Sequence, residues 1–345
     1  MAEESYLRWL VGNTPTTWWN DSGDPDEIRT ALAQGATGVT TNPVLSYRAL
    51  AARGNEWAAA LSGPVHAPAG EERAEALTRF VVTGAAQLLE PVYQSTAGRQ
   101  GYVCAQVNPK RAGDREGMLA MAKRFHAWAP NIAVKLPVTA AGLDVLEECA
   151  AEGITVTMTV SFTVPQALAI GERFEKGLAR ARAAGVTPGR CFAVIMIGRL
   201  DDYLREVAQD MQAKVSEEDI RQSGLAATKR AYQIYKERGY KAVLLVAALR
   251  GNYHTTELAG AEVIMSVTPG NQKMLLAPGT PREQRINEPI PAEVIARLQT
   301  IPDFVRAYEP DGMTPTEFVT YGATQRTLSQ FTEVGWNMLE TFQID

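Results

Sequence analysis

The chain has 345 residues, 46% of them apolar and 21% charged, enough for a packed core and contrary to disorder. Its net charge of −5 speaks against a nucleic-acid partner, which requires a basic stripe. No apolar run approaches the roughly 18 residues of a membrane helix, and the start MAEESYLRWL lacks the basic and then apolar pattern of a secretory signal. A cytoplasmic protein with no membrane contact is expected. Cys104, Cys149 and Cys191 are isolated and odd in number, so they read as reduced core residues. His66, His126 and His254 form no metal spacing, and neither a metal nor a cofactor is expected.

In chain order, residues 15–20 (PTTWWN) read as a first strand. Asp24-Pro-Asp-Glu then supplies an N-cap, a proline at the first helical position and an acid at the third, and Gly35 stops that helix. Residues 36–41 form a second strand, broken into a helix by Asn42-Pro43, and 69–95 are helical. Tyr102 to Val107 is a third strand, followed by a helix over 113–128; Asn131 to Leu136 is a fourth. Ile154 to Val160 is a fifth strand, followed by a helix over 163–184. Residues 190–197 form a sixth strand and 201–237 are helical with a break near 211–216. Lys241 to Ala247 and Ala261 to Ser266 complete eight strands.

Eight short apolar strands, each with a helical stretch after it, predict an α/β fold of the (β/α)8 barrel type over residues 1–310. The competing doubly wound sheet needs a glycine-rich loop after its first strand, and G-x-G-x-x-G is absent there. Residues 268–285 read as Pro/Gly-rich loop and 291–308 as helix. Thr314-Pro-Thr-Glu317 reads as a capping box that opens a final helix, an extension over 311–345 of the same domain. Its apolar face packs on the barrel, forms a lid or makes a homo-oligomer contact.

The most informative stretch is AVKLPVTAAGL, residues 133–143. It sets Lys135 in an apolar run that reads as a buried strand, with Thr139 to cap the next helix. Burying an unpaired ammonium costs several kcal/mol. Losing the proton avoids that cost and makes the amine a nucleophile toward carbonyls. The plain alternative is a lysine that snorkels to the strand end and pairs with a carboxylate.

In such a barrel the C-terminal strand ends carry function. They offer Asp21, then Thr40, Thr41 and Asn42, Gln106 and Asn108, Lys135, Thr157, Thr159 and Ser161, Arg199 and Arg250. A neutral lysine attacking a ketone, a carboxylate moving protons, and two arginines forked around a phosphate make a consistent set. Each has a plain reading: Asn42 as a turn residue, Thr159 as a β-former, Arg199 bridged to Asp201 or Asp202, Arg250 bridged to Glu257. Asp21 is free of capping, because Asp24 fills that role better.

These segments together resemble the transaldolase family, class I enzymes that hold a ketose fragment as a Schiff base on a barrel lysine. DSGDPDEI with TTNP, VKLPVTAAGLDVL, EGITVTMTVSFTVPQALA, IGRLDDY and AALRGNYHTTELAGAEVIMSVTP carry the resemblance over roughly 15–270. It implies Lys135 as the Schiff-base residue and Asp21 as the carboxylate acid/base. It also implies Asn42, within TTNP beside Thr41, on substrate hydroxyls, Thr159 in a water-mediated relay, and Arg199 and Arg250 on phosphate. The relay glutamate of the family falls at Gln106, as in the related fructose-6-phosphate aldolases. Its aromatic residue falls at Met196, and two of its serines at Val194 and Ala248, so a less polar pocket is expected. The resemblance implies transfer of a dihydroxyacetone unit from a ketose phosphate, such as fructose 6-phosphate or sedoheptulose 7-phosphate, to an aldose phosphate. Sugar phosphates are the partners it implies and the pentose phosphate pathway the setting. Aldol release, a specialised ketose transfer and a catalytically silent sugar-phosphate binder are the alternatives.

Overall fold

The computed structural model describes residues 5–344. Eight parallel strands, β1 (Thr17–Asp21), β2 (Gly38–Thr40), β3 (Tyr102–Gln106), β4 (Ile132–Pro137), β5 (Val156–Thr159), β6 (Cys191–Met196), β7 (Val243–Ala247) and β8 (Ile264–Val267), pair in sequence order. β8 returns to β1 and closes the barrel, so the expected (β/α)8 architecture is present and the open sheet is not. Every residue of β3, β4, β5, β6 and β8 is buried. Helices cover these strands outside and side chains fill the barrel inside, which is why they read as continuous apolar runs rather than alternating ones.

Most β-to-α loops end on a side-chain cap. Asp24 accepts from the N–H groups of Asp26 and Glu27, Asn42 from Leu45, Thr139 from Gly142, Thr163 from Gln166 and Thr268 from Asn271. Each such cap contributes about 1 kcal/mol. Placed so soon after the strands, the caps also keep the mouth loops short and hold the polar strand ends in place.

The opposite end of the barrel is closed by aromatic rings. The centroids of Trp19 and Phe192 lie 4.7 Å apart and those of Tyr102 and Phe192 5.4 Å apart. Gly38 makes room for them, since a Cβ there would meet the Trp19 indole at 2.4 Å.

The structure departs from the sequence reading in four places. A helix at Tyr6–Asn13 precedes β1 and was not expected. The stretch read as loop from 268 begins with a helix, Pro269–Leu275, because Thr268 caps it and Pro269 suits its first position. The helix read over 291–308 is two, Ala292–Leu298 and Pro302–Tyr308, since Pro302 holds Ile301 extended. Finally, Glu317 accepts from the Thr314 N–H and hydroxyl as a capping pair, yet this opens only a 3-10 turn, Phe318–Thr320.

The regular C-terminal helix begins at Gly322 and runs to Phe331, passes through a π-helical turn at Thr332–Trp336 and ends at Asn337–Glu340. It packs across the barrel mouth. Trp336 is fully buried, and Gly335 lies flat on the helix that starts at Pro43. A Cβ on Gly335 would stand 2.8 Å from the Pro43 Cβ and the Val44 nitrogen. Gly335→Ala is therefore expected to cost about 1–3 kcal/mol, as overpacking does. Gly54→Ala, in the interior of helix Pro43–His66 with its nearest neighbour at 3.9 Å, is expected to gain about 0.5–1 kcal/mol. Urea unfolding of the two variants checks the opposite signs.

Candidate active site

Parallel pairing lays Gln106, Lys135 and Thr157 side by side across β3, β4 and β5. Lys135 is 5% exposed. Its Nζ donates to the Thr41 carbonyl at 3.0 Å, and no ion pair involves it among the described residues. The snorkelling, carboxylate-paired alternative is thus not what the fold adopts. Burial pushes the Lys135 amine below the ordinary lysine range, and the nearby Arg199 charge adds to that; Asp21 opposes it. Cys104 lies beside it, but burial raises that thiol, so no thiolate steadies the ammonium.

Asp21 closes β1 and pairs in register with Thr40. Thr40 Oγ1 donates to Asp21 Oδ1 at 2.7 Å, and Ser266 of β8 lies 2.6 Å from that same hydroxyl. Since Thr40 donates its proton to the carboxylate, Ser266 donates to Thr40. A hydroxyl chain across three strands thus orients the carboxylate.

Asp21, Asn42, Lys135, Thr159, Arg199 and Arg250 line one cavity of about 230 Å³ at the C-terminal end of the barrel. Asn42 Oδ1 is occupied as a helix cap, accepting from Leu45 N–H at 3.0 Å, while the residue still borders the cavity. Thr159 is fully buried, its hydroxyl 4.0 Å from the Met196 sulfur. Two expected residues stand outside the lining. Thr41 turns its hydroxyl to the Cys104 carbonyl at 2.7 Å and contributes its own carbonyl to Lys135. Gln106 is buried beneath the mouth, with Oε1 unpartnered.

The two arginines differ. Arg250 pairs with Asp202 through Nη2 at 2.7 Å and Nε at 2.9 Å, not with Glu257, which takes Arg285 and Lys229. Arg199 has neither Asp201 nor Asp202 as partner. Its Nη1 reaches Thr327 at 3.4 Å, its guanidinium sits 5.4 Å from the Phe331 ring centre, and Nε is buried without a partner. Burial and then the Arg250 charge pull the Arg199 guanidinium down to about 10. A guanidinium so placed suits an anion.

Two mouth residues adopt left-handed backbone, Val160 (φ 57°) and Ala248 (φ 60°), just past the inward ends of β5 and β7. Such conformations cost about 1–3 kcal/mol each and cluster at functional sites. The Gln166 side chain braces the first, donating to the Val160 carbonyl at 3.2 Å and accepting from Phe162 N–H at 3.0 Å.

Sequence reasoning missed several contributors. Ser266 sits at the end of the eighth strand and was open to the same strand-end logic. Arg48, exposed on the helix after Asn42, borders the cavity, as do Gln330 and Phe331 of the C-terminal helix. Nothing in the local pattern around 330 marks that segment as part of a mouth some 300 residues away in sequence. A second, larger cavity of about 370 Å³ lies at the opposite barrel end, lined by Trp19, Phe192, Arg99 and Arg190. It lacks a nucleophile and is remote from the strand ends that carry function. No helix among the described residues is long and apolar enough to cross a membrane.

The mouth of a closed parallel barrel thus brings together an unpaired lysine, a hydroxyl-held carboxylate and a half-buried arginine around one cavity. The sequence profile of the transaldolase/fructose-6-phosphate aldolase family matches residues 18–308, and the chain belongs to that family. It is 32% identical to a transaldolase of Thiobacillus denitrificans over 68% of either chain. It is 32% identical to transaldolase 1 of Streptomyces avermitilis over 58% of this chain and 54% of that one. With a transaldolase of Neisseria gonorrhoeae the identity is 31% over 61% and 59%. The chain thus spans between about half and two thirds of the curated relatives it matches.

Lys135 also carries a stability signature. Its amine is depressed in the fold, whereas the unfolded chain binds that proton below about pH 10.4. Its penalty therefore grows as pH falls from that value toward the folded-state value, then levels. Lys135→Met is expected to be more stable than the parent by about 1–2 kcal/mol at neutral pH. The gain should shrink toward pH 10, as followed by urea unfolding across the range. A gain independent of pH would mean the amine is not depressed.

Proposed function

We propose that the protein transfers a dihydroxyacetone unit from a ketose phosphate to an aldose phosphate through a Schiff base on Lys135. The observation that carries this reading is the Lys135 amine: buried, without a carboxylate partner, and opening on the cavity that holds Asp21 and Arg199.

In this mechanism the neutral Nζ attacks the C2 carbonyl. Asp21 delivers a proton to the carbinolamine oxygen, which leaves as water and gives the iminium. A base then removes the C4 hydroxyl proton as the C3–C4 bond breaks, and its electrons pass into the iminium to give the enamine. The shortened aldehyde departs. Attack of the enamine on an incoming aldose phosphate rebuilds the bond, and water releases the product. Thr159 holds a water in this scheme and Asn42 faces the substrate hydroxyls. Arg199, with Arg250, takes the phosphate as a bidentate dianion. Sugar phosphates are accordingly the partners we assign.

Gln106 favours a second reading, release of the unit as in fructose-6-phosphate aldolases. A glutamine cannot take a proton from water, but its buried, unpartnered Oε1 can accept a hydrogen bond that orients one.

Reductive trapping tests both. With fructose 6-phosphate and borohydride, a three-carbon adduct is expected on Lys135 by intact mass and peptide mapping, and none in Lys135→Ala. Arg199→Ala should raise the half-saturating donor concentration about 10- to 100-fold, the worth of a charge-assisted contact of about 1.5–3 kcal/mol. Acceptor aldose phosphates that deplete the adduct when added before the borohydride identify transfer; decay of the unreduced intermediate in water alone before the borohydride is added identifies release. Failure to trap any ketose phosphate that still binds would sink the Schiff-base mechanism.

A further inference from the structure

Behind the two arginines lies a fully buried ionisable pair that the proposed mechanism does not use. His254 and Asp201 are both 0% exposed, with His254 Nε2 2.9 Å from Asp201 Oδ2. The histidine belongs to the short helix Asn252–Thr256 that comes after β7 and Arg250; the aspartate belongs to helix Ile197–Asp210 that comes after β6 and carries Arg199 and Asp202. The pair is therefore a direct bond between the two loops that present the guanidinium groups.

The hydrogen bonds fix the tautomer. Arg250 N–H points at His254 Nδ1 at 3.1 Å. A backbone N–H can only donate, so Nδ1 accepts, and the ring proton lies on Nε2, donated to Asp201. The aspartate is held in turn. Its Oδ1 accepts from Ser223 Oγ at 2.9 Å and Gly224 N–H at 2.8 Å, and the Tyr253 hydroxyl lies 3.4 Å from Oδ2. Glycine at 224 is required, because a Cβ there would meet the Ile197 carbonyl at 2.5 Å.

The junction it clamps is tight and strained. Ala248, two residues before Arg250, is left-handed at φ 60°. Its carbonyl accepts from Arg250 Nη1 at 3.0 Å and would lie 2.3 Å from a Cβ on Gly198, the residue before Arg199. A small slip of one loop past the other would turn the guanidinium groups away from a common target.

We propose that Asp201 and His254 are positioning residues which lock the Arg199 and Arg250 loops together, so that both guanidinium groups aim at one phosphate. The Asp201 carboxylate imposes the imidazole tautomer, and the imidazole holds the Arg250 backbone. This rests on the reading of the mouth as a sugar-phosphate site. It sets affinity for the phosphate end of a substrate and leaves the lysine end alone.

The test is Asp201→Asn, which keeps volume. The new amide donates toward Nε2, so the imidazole must carry its proton on Nδ1, where it opposes the Arg250 N–H. The half-saturating concentration of fructose 6-phosphate in borohydride trapping is expected to rise about ten-fold, the size of one well-aimed ionic contact. Trapping of dihydroxyacetone, a ketone without phosphate, should stay within about two-fold of the parent, as it draws on the lysine alone. His254→Asn retains an acceptor at the Nδ1 position and should fall between parent and Asp201→Asn. Unchanged fructose 6-phosphate dependence in Asp201→Asn, or equal loss for both ketones, would overturn the proposal. If the parent traps neither ketone, the Schiff-base reading fails by itself. The clamp is then decided by calorimetry with inorganic phosphate, which must bind the parent more tightly than Asp201→Asn.

Discussion

A lysine amine in the dry interior of a closed barrel, held only by a backbone carbonyl, is the constraint on which the rest of the mouth depends. A carboxylate placed against Nζ would stabilise the ammonium and quench its nucleophilicity. The fold avoids this. Asp21 is held aside by the Thr40 hydroxyl, itself held by Ser266, and the Lys135 amine turns to the Thr41 carbonyl. Three strands that neighbour in space but not all in sequence must be in register for this to happen. The barrel supplies that register through short capped loops at its mouth and the Trp19, Tyr102 and Phe192 rings at its base.

The same low-dielectric mouth explains the arginines. Burial first, and then the Arg250 charge, make the Arg199 guanidinium costly to keep as a cation. Asp202 pairs with Arg250 and leaves Arg199 with only a threonine hydroxyl and the Phe331 ring. The site therefore holds an uncompensated positive charge beside a depressed lysine. The Arg199 charge helps to lower the Lys135 amine, and an arriving dianion would offset the guanidinium charge.

Much of this was legible in the sequence because the pieces are local. The eight strands announce themselves as short apolar runs, the Asp24 and Thr139 caps sit at fixed offsets, and a lysine inside such a run has few explanations. The residues missed share a different property: their role is set by long-range packing. Phe331 and Thr327 reach Arg199 across more than a hundred residues. Asp202 looked like a partner for its near neighbour Arg199 and instead takes Arg250 on the next loop. Thr41 was expected in the site, yet it reaches Lys135 through its backbone carbonyl, which every residue type carries. The C-terminal helix was misplaced for a related reason. Only half of the expected Thr314–Glu317 capping box forms, since the Glu317 N–H goes to the Thr314 carbonyl and not to its hydroxyl, and the seat of Gly335 on Pro43 and Val44 is a long-range contact that the local sequence does not reveal.

That C-terminal segment bears on the choice between transfer and release. On the proposed mechanism the enamine must outlive the departure of one aldehyde and the arrival of another, so the fate of water in the mouth decides the product. Val194, Met196 and Ala248 present apolar groups, and Phe331 roofs the Arg199 side. Asp21 and Thr159 are among the polar groups that line the same cavity, with Gln106 buried beneath the mouth. Only Asp21 there takes a proton, because a glutamine cannot. One carboxylate must then serve both dehydration of the carbinolamine and the later hydrolysis. In that mechanism the balance between transfer and release turns on how firmly the Ser266–Thr40 chain holds that carboxylate.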